Sequence, residues 1–90
     1  MDKKTREIVM RDFEAVNGYL ERLSGIQRDF GTKANIPEVK KLKDFLESAQ
    51  NNARAYLIED ECTQGDLQRL EKQVSQVMPL ILDVNQALTK

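Results

Sequence analysis

Apolar residues in the last third of the chain recur with an unbroken alternation of three and four positions. They are Leu67, Leu70, Val74, Val77, Ile81, Val84 and Leu88. This spacing holds one line of side chains, here called the seam, on the side of an α-helix that faces a neighbouring helix. The pattern therefore predicts a helix over about residues 64–88 that packs against other helices along its length.

Two earlier segments repeat the same period. The seam of the first comprises Val9, Phe13, Val16, Leu20 and Leu23, and that of the second Val39, Leu42, Leu46, Ala49, Ala53 and Tyr56 or Leu57. Gly31 follows the first segment and suits a left-handed helix cap. Before the second, Asn35 is the expected N-cap, with Pro37 in the first turn and Glu38 reaching back. We expect helices over about 4–29 and 36–60.

These segments predict an all-α fold, a three-helix antiparallel up-down-up bundle with coiled-coil-like packing, formed by residues 1–90 as a single domain. Thr63 and Asp66 are spaced as a capping box at the start of the third helix. Pro79 lacks an amide hydrogen, so we expect the third helix to be kinked at Pro79, with any split near Val77. Gln50, Asn51 and Asn52 lie mostly off the second seam, where we expect exposure to solvent or a polar contact surface.

Charge and composition narrow the classes of function. Fourteen Lys and Arg residues oppose fifteen Asp and Glu residues, so long-range attraction to nucleic acid is weak. No apolar run approaches the roughly 20 residues that span a bilayer, and Met1 leads into Asp2 and Lys3 instead of an apolar signal segment. Cys62 is the one cysteine, which favours a reducing compartment. We expect a cytoplasmic protein that does not interact with membranes.

The sequence lacks the residues and motifs that are typical of an enzyme active site. Histidine is absent, and with it the commonest general base and metal ligand. Acidic neighbours of Cys62 should raise the pKa of its thiol, which disfavours a reactive thiolate. No Gly-rich phosphate loop or Ser-His-Asp set is present. We therefore expect no catalytic residue, no bound metal, no cofactor and no small-molecule substrate.

Two segments resemble motifs that bind calcium or DNA, but neither motif is complete. The window from Asp60 to Glu71 has the Asp, Gly and Glu of an EF-hand loop at the first, sixth and twelfth positions, yet Cys62 and Gln64 occupy two ligand positions. Residues 63–70 resemble the first helix of some helix-turn-helix DNA-binding domains. No turn follows them, because the seam continues in register. Calcium and nucleic acid are both disfavoured as ligands.

A surplus of apolar residues is the best functional signal. Residues 77–84 read Val-Met-Pro-Leu-Ile-Leu-Asp-Val, and two neighbouring helices cover only part of the circumference of a helix. Met78, Leu80 and Leu82 are the expected partner-binding residues, with Tyr56 beside them. Four acids around the second connection form the expected acidic rim: Glu59, Asp60, Glu61 and Asp66.

The favoured function is a non-enzymatic interaction module, a small cytoplasmic helical protein that binds another protein or a second copy of itself. One alternative is a small helical inhibitor or immunity-type protein of bacterial or phage origin, whose acidic patch blocks a basic site on its target. A second alternative is a DNA-binding regulator. The residues do not identify the partner.

Overall fold

A computed structural model describes residues 1–89 of the chain. The helices are α1 (Lys3–Phe30), α2 (Pro37–Glu59), α3 (Gln64–Ser75) and α4 (Val77–Leu88), with a 3-10 turn over Gly31–Ala34. The segments α3 and α4 together form the third helix, which bends by 23° at residue 76. The predicted three-helix up-down-up bundle is confirmed, and its longest dimension is 46 Å.

Three helix ends follow from local chemistry. The Asp2 carboxylate accepts a hydrogen bond of 2.7 Å from the amide of Thr5 and caps α1. Gly31 adopts φ 57°, which is costly for residues with a side chain, and ends α1 as predicted. Thr63 and Asp66 form the predicted capping box at the start of α3.

The prediction for the start of α2 was wrong. The N-cap is Ile36, which has no side chain able to bond the first amides, and Pro37 occupies the first turn. Asn35 instead ends the 3-10 turn, where its backbone N–H donates to the carbonyl of Thr32 at 3.1 Å. Asn35 thus lies one residue before the N-cap position of α2, in the connection between α1 and α2, and does not cap the helix.

The bend in the third helix lies three residues before Pro79, within the turn that the proline disrupts. A proline leaves the carbonyl four residues earlier, here that of Ser75, without its helical donor, and the ring crowds that carbonyl. Gln76 absorbs the change with φ −85° and ψ −6°, and its amide bonds to the carbonyls of Lys72 and Gln73. The chain continues as helix on both sides, which agrees with the predicted kink.

Two groups of buried residues form the core. The larger group holds Val16, Leu23, Ala34, Val39, Leu42, Leu46, Ala49, Val77, Ile81 and Val84. The smaller group holds Val9, Ala53, Leu67 and Leu70. All of these except Ala34 belong to the predicted seams. The core is therefore thick where α4 packs and thin where α3 packs.

The third helix crosses from one neighbour to the other. The backbone of α3 lies closer to α1 than to α2, whereas α4 lies against α2 and approaches α1 less closely. The bend at residue 76 falls between the two segments. Consequently α4 leaves the side that faces away from α2 less covered.

Two hydrogen bonds between side-chain amides link neighbouring helices. The Gln50 amide donates to the Asn17 side chain at 2.7 Å, which links α2 to α1. The Asn52 amide donates to the Gln73 side chain at 3.3 Å, which links α2 to α3. Asn51, between them, is exposed. Gln50 and Asn52, two of the three off-seam polar residues of α2, are thus half-exposed and bond to side chains of neighbouring helices.

Candidate partner-binding surface

The α4 segment is built from apolar residues on more than one side. Val77, Ile81 and Val84 point into the larger core group. Between Val77 and Leu82 the helix has no polar side chain at all. Since a single face suffices for packing in the bundle, the remaining apolar residues must lie on the flanks or in solvent.

Met78 and Leu82 are the exposed part of this surplus. Met78 is 48% exposed and Leu82 is 54% exposed. They are four positions apart, so they lie on one face of the helix. We call these two residues the α4 patch. Ser75, Asn85 and Gln86 are also exposed and carry no charge, so the patch continues along α4 into an uncharged border.

Leu80 does not belong to this patch. At about 100° per residue, a side chain two positions away lies on nearly the opposite side of the helix. Leu80 is half-buried, packs on the larger core group and lines a groove against Pro37 and Lys41 of α2. Of the three apolar residues predicted to bind a partner, the structure therefore brings two together and uses the third mainly for packing.

Tyr56 lies in the other half of the bundle. It packs against the smaller core group and lines a groove between α2 and α3 with Phe45, Arg69 and Lys72. Burial raises the pKa of the Tyr56 hydroxyl, and the charge of Asp66 raises it further. The side chain is a neutral member of the packing, separated from the α4 patch.

The acidic connection is partly neutralised within the molecule. Asp60, in the left-handed conformation at the end of α2, accepts a hydrogen bond of 3.1 Å from the Arg6 guanidinium. Its carbonyl accepts a bond of 2.9 Å from the amino group of Met1. Asp66 bonds the Arg69 guanidinium at 2.8 Å, in addition to its capping role.

Glu59 and Glu61 are the remaining two acids of the predicted rim, and both are exposed. Beside them stands Ile58, which is 76% exposed and the most exposed large apolar residue among residues 1–89. Ile58 is not among the residues predicted from the sequence to bind a partner. Its exposure was predictable from the sequence, because Ile58 directly follows the seam position Leu57 and therefore lies off the seam.

Cys62 lies at the same end of the bundle and is half-buried. Burial is the main cause that raises the pKa of its thiol, and the negative charge of Asp66 adds to it. Its Sγ donates to the carbonyl of Thr63 at 3.6 Å. The predicted direction of the pKa shift is confirmed, although burial contributes more than the acidic neighbours. The thiol stays protonated at neutral pH and is a poor nucleophile.

Within residues 1–89, no three Cys, Asp or Glu side chains stand close enough together to hold a metal ion. Asp60 and Glu71, the ends of the EF-hand-like window, contact different cations, Arg6 and Arg11. None of the helices in this part of the chain combines the length and apolarity needed to cross a membrane. Comparisons with protein families, with curated proteins and with solved structures found no match for this chain.

Proposed function

We propose that this chain is a non-enzymatic, cytoplasmic interaction module that binds another protein, or a second copy of itself, with the α4 patch at the centre of the interface. The observation that carries the proposal is the half-exposure of Met78 and Leu82 on one face of a helix with an uncharged border. Exposed apolar side chains that lie together on one face mark candidate sites of protein interaction.

The free energy gained by covering Met78 and Leu82 indicates how large the interface must be. Covering the rest of these two side chains contributes roughly 1 kcal/mol each, at about 25 cal/mol per Å² of apolar surface. A stable complex buries about 800 Å² on each partner. The described part of the chain has 6006 Å² of accessible surface, so an interface of this size covers roughly an eighth of it. The α4 patch is thus the centre of a wider contact.

The flank of the third helix away from α2 supplies the extra surface. Because α4 approaches α1 less closely than it approaches α2, this flank is less covered by the bundle. A partner helix laid along it would contact the α4 patch with its apolar face. This mode of binding needs no charged group on the partner.

The experiment is molar mass by light scattering over a hundredfold range of concentration, for the natural chain and for Leu82→Lys. A dimer that Leu82→Lys converts to a monomer of unchanged helicity supports self-association through the α4 patch. If the natural chain is monomeric, the natural chain and Leu82→Lys are compared for their capture of a partner from cell extract. Association that survives in Leu82→Lys contradicts the proposal.

A second candidate, the acidic inhibitor, is favoured by the exposed Ile58 beside Glu59 and Glu61. An apolar side chain among unpaired acids suits a basic target site with an apolar centre. Ile58→Lys is therefore the matched variant to Leu82→Lys, because it makes the same change at the other end of the bundle. Loss of binding in Ile58→Lys alone, together with weakening by salt, assigns the function to this end.

A DNA-binding regulator has the least support. Helix-turn-helix motifs need two helices at about 90–120° to one another. The helix that resembles the first of these, α3, continues into α4 with a bend of 23°. A mobility shift with duplex DNA at low salt would revive this alternative.

A further inference from the structure

Asp12 is the one charged residue among residues 1–89 whose side chain is buried in the core. It is 4% exposed, between the core residues Val9 and Val16 of α1. Its Oδ2 atom is buried and has no hydrogen-bond partner. A buried carboxylate with an unsatisfied oxygen destabilises the state that buries it, unless it takes up a proton.

The charged groups around Asp12 compensate it only in part. On α1, the Arg11 Nε lies 3.6 Å from Asp12 Oδ1. On α3, Glu71 faces the same guanidinium, with 3.7 Å between Arg11 Nη2 and Glu71 Oε1. One exposed cation is therefore shared between two carboxylates.

No charge from α2 adds to this compensation. The charges that act on Asp12 are those of Arg11 and Glu71. On α2, the guanidinium carbon of Arg54 lies 6.0 Å from the ring centroid of Phe13. Lys72 of α3 lines the groove on the α2 side of that helix. Asp12 therefore has one cationic partner, Arg11, which it shares with Glu71, and Glu71 carries a charge of the same sign as Asp12.

The helix that packs against this site is also the most weakly anchored. Only Leu67 and Leu70 of α3 are buried, and the core group they join is the smaller one. A bend at residue 76 separates α3 from the better-anchored α4. Segments with few buried contacts open below the global unfolding free energy.

We propose that Asp12 is a proton-controlled latch for α3. While Asp12 is charged, α3 swings away from α1 about the bend at residue 76 without unfolding of α2 and α4. When Asp12 takes up a proton, the core accepts the neutral side chain and α3 stays docked. The segment that opens carries Leu67 and Leu70, so opening exposes apolar surface that the closed state hides.

The direction of the pH dependence follows from the site. Burial raises the pKa of Asp12 above its ordinary 3.8, the charge of Glu71 raises it further, and Arg11 lowers it. A raised folded-state pKa gives extra stability that is complete below 3.8 and is lost as the pH rises through the folded-state value. The latch is closed in acid and loosened at neutral pH.

Hydrogen exchange of backbone amides, corrected for the intrinsic rate at each pH, tests the latch between about pH 4.5 and about pH 7.5. Once it has left α1, α3 is a helix of only 12 residues without packing, so its backbone hydrogen bonds open as well. At neutral pH, the amides of Leu70 and Val74 should therefore exchange through an opening more frequent than that of Leu46 in α2. Acidification should suppress this opening by up to about tenfold per pH unit, the limit for one proton. A common opening constant for α3 and α2 overturns the proposal.

Substitutions at the site decide whether Asp12 is the group that titrates. In Asp12→Asn, opening of α3 should be rare at every pH and lose its pH dependence. Asp29→Asn is the matched control, because it removes an exposed carboxylate from the same helix; the dependence should remain. Persistence of the pH dependence in Asp12→Asn rejects the latch.

Glu71→Gln gives a second, independent readout on a side chain that is exposed and dispensable for packing. Removing its negative charge should shift the midpoint of the pH dependence to lower pH, because a like charge no longer disfavours ionised Asp12. An unchanged midpoint means that Asp12 and Glu71 do not interact, which contradicts the geometry on which the latch depends.

Discussion

The two segments of the third helix have the same length and the same seam, yet they relate to the bundle differently. The segment α3 begins with a capping box and contributes two residues to the smaller core group. The segment α4 has no side-chain cap and contributes three residues to the larger core group. It also leaves Met78 and Leu82 exposed.

This difference shows that a regular seam determines which side of a helix packs but not how strongly it packs. In α3 the side chains off the seam are polar, so local hydrogen bonds hold the start of the helix and solvent covers the rest. In the first half of α4, from Val77 to Leu82, they are apolar, so packing holds the helix and surplus apolar surface stays exposed at Met78 and Leu82. The proposed latch therefore belongs to the α3 half and the proposed partner-binding patch to the α4 half.

The largest expected effect comes from Leu70→Ala, which removes one of the two buried α3 side chains. Such truncations cost about 2–5 kcal/mol, and we expect about 3 kcal/mol from urea denaturation. The matched variant Ile81→Ala in α4 should cost a similar amount. The two differ in hydrogen exchange: Leu70→Ala should release mainly α3, and Ile81→Ala should weaken every helix. Equal effects on α3 and α4 amides would erase the distinction between the two halves.

Asp12→Asn should stabilise the protein by about 1 kcal/mol at neutral pH, because a neutral amide costs less to bury than a carboxylate with an unsatisfied oxygen. The gain should shrink as the pH falls and should disappear well below 3.8, the ordinary pKa of the carboxyl, where Asp12 is protonated in both the folded and the unfolded state. Thermal unfolding at two pH values measures both quantities. A loss of stability at neutral pH would show that the Arg11 contact outweighs the cost of burial.

Thr63→Ala should cost about 1 kcal/mol, because it removes the oxygen that accepts the Asp66 amide at 3.0 Å. The segment α4 has no side-chain cap, so Gln76→Ala at its start should change the free energy of unfolding by less than about 0.5 kcal/mol. Urea denaturation compares the two variants. Equal losses would mean that α4 also depends on its first turn.

The smallest effect on stability is expected for Leu82→Lys, within about 0.5 kcal/mol, because the position is half in solvent. Its effect on association should be large. Thermal unfolding of a dilute sample, read beside the light-scattering measurement, separates the two. A clear drop in the melting temperature of the monomer would instead assign Leu82 to the core.

The sequence predicts most of the α2 seam: Val39, Leu42, Leu46, Ala49 and Ala53 are buried, and Tyr56 and Leu57 at its end are half-buried. Periodicity suffices there because α2 contacts every other helix. It fails for Asp12, which is buried. Asp12 follows Val9 by three positions and precedes Val16 by four, so it lies on the seam side of α1, and only its charge argued for exposure. A charged residue one position before Phe13 would ordinarily be assigned to solvent.

The candidate surface was predictable in composition but not in arrangement. An excess of apolar residues in 77–84 is visible in the sequence, and helical geometry could already have separated Leu80 from Met78 and Leu82. The side of α4 that remains uncovered depends on the bend at residue 76 and on the neighbour that α4 then meets. Those are tertiary consequences of Pro79.

The two hydrogen-bonded amide pairs, Asn17 with Gln50 and Asn52 with Gln73, give the bundle a defined register. Seams of alternating three and four are nearly self-similar, so helices that slide by one heptad still match apolar with apolar. Such a slip would separate both pairs and lose their hydrogen bonds, each of which contributes about 0.5–1.5 kcal/mol. These four side chains therefore select one alignment among several that the apolar seams alone would tolerate.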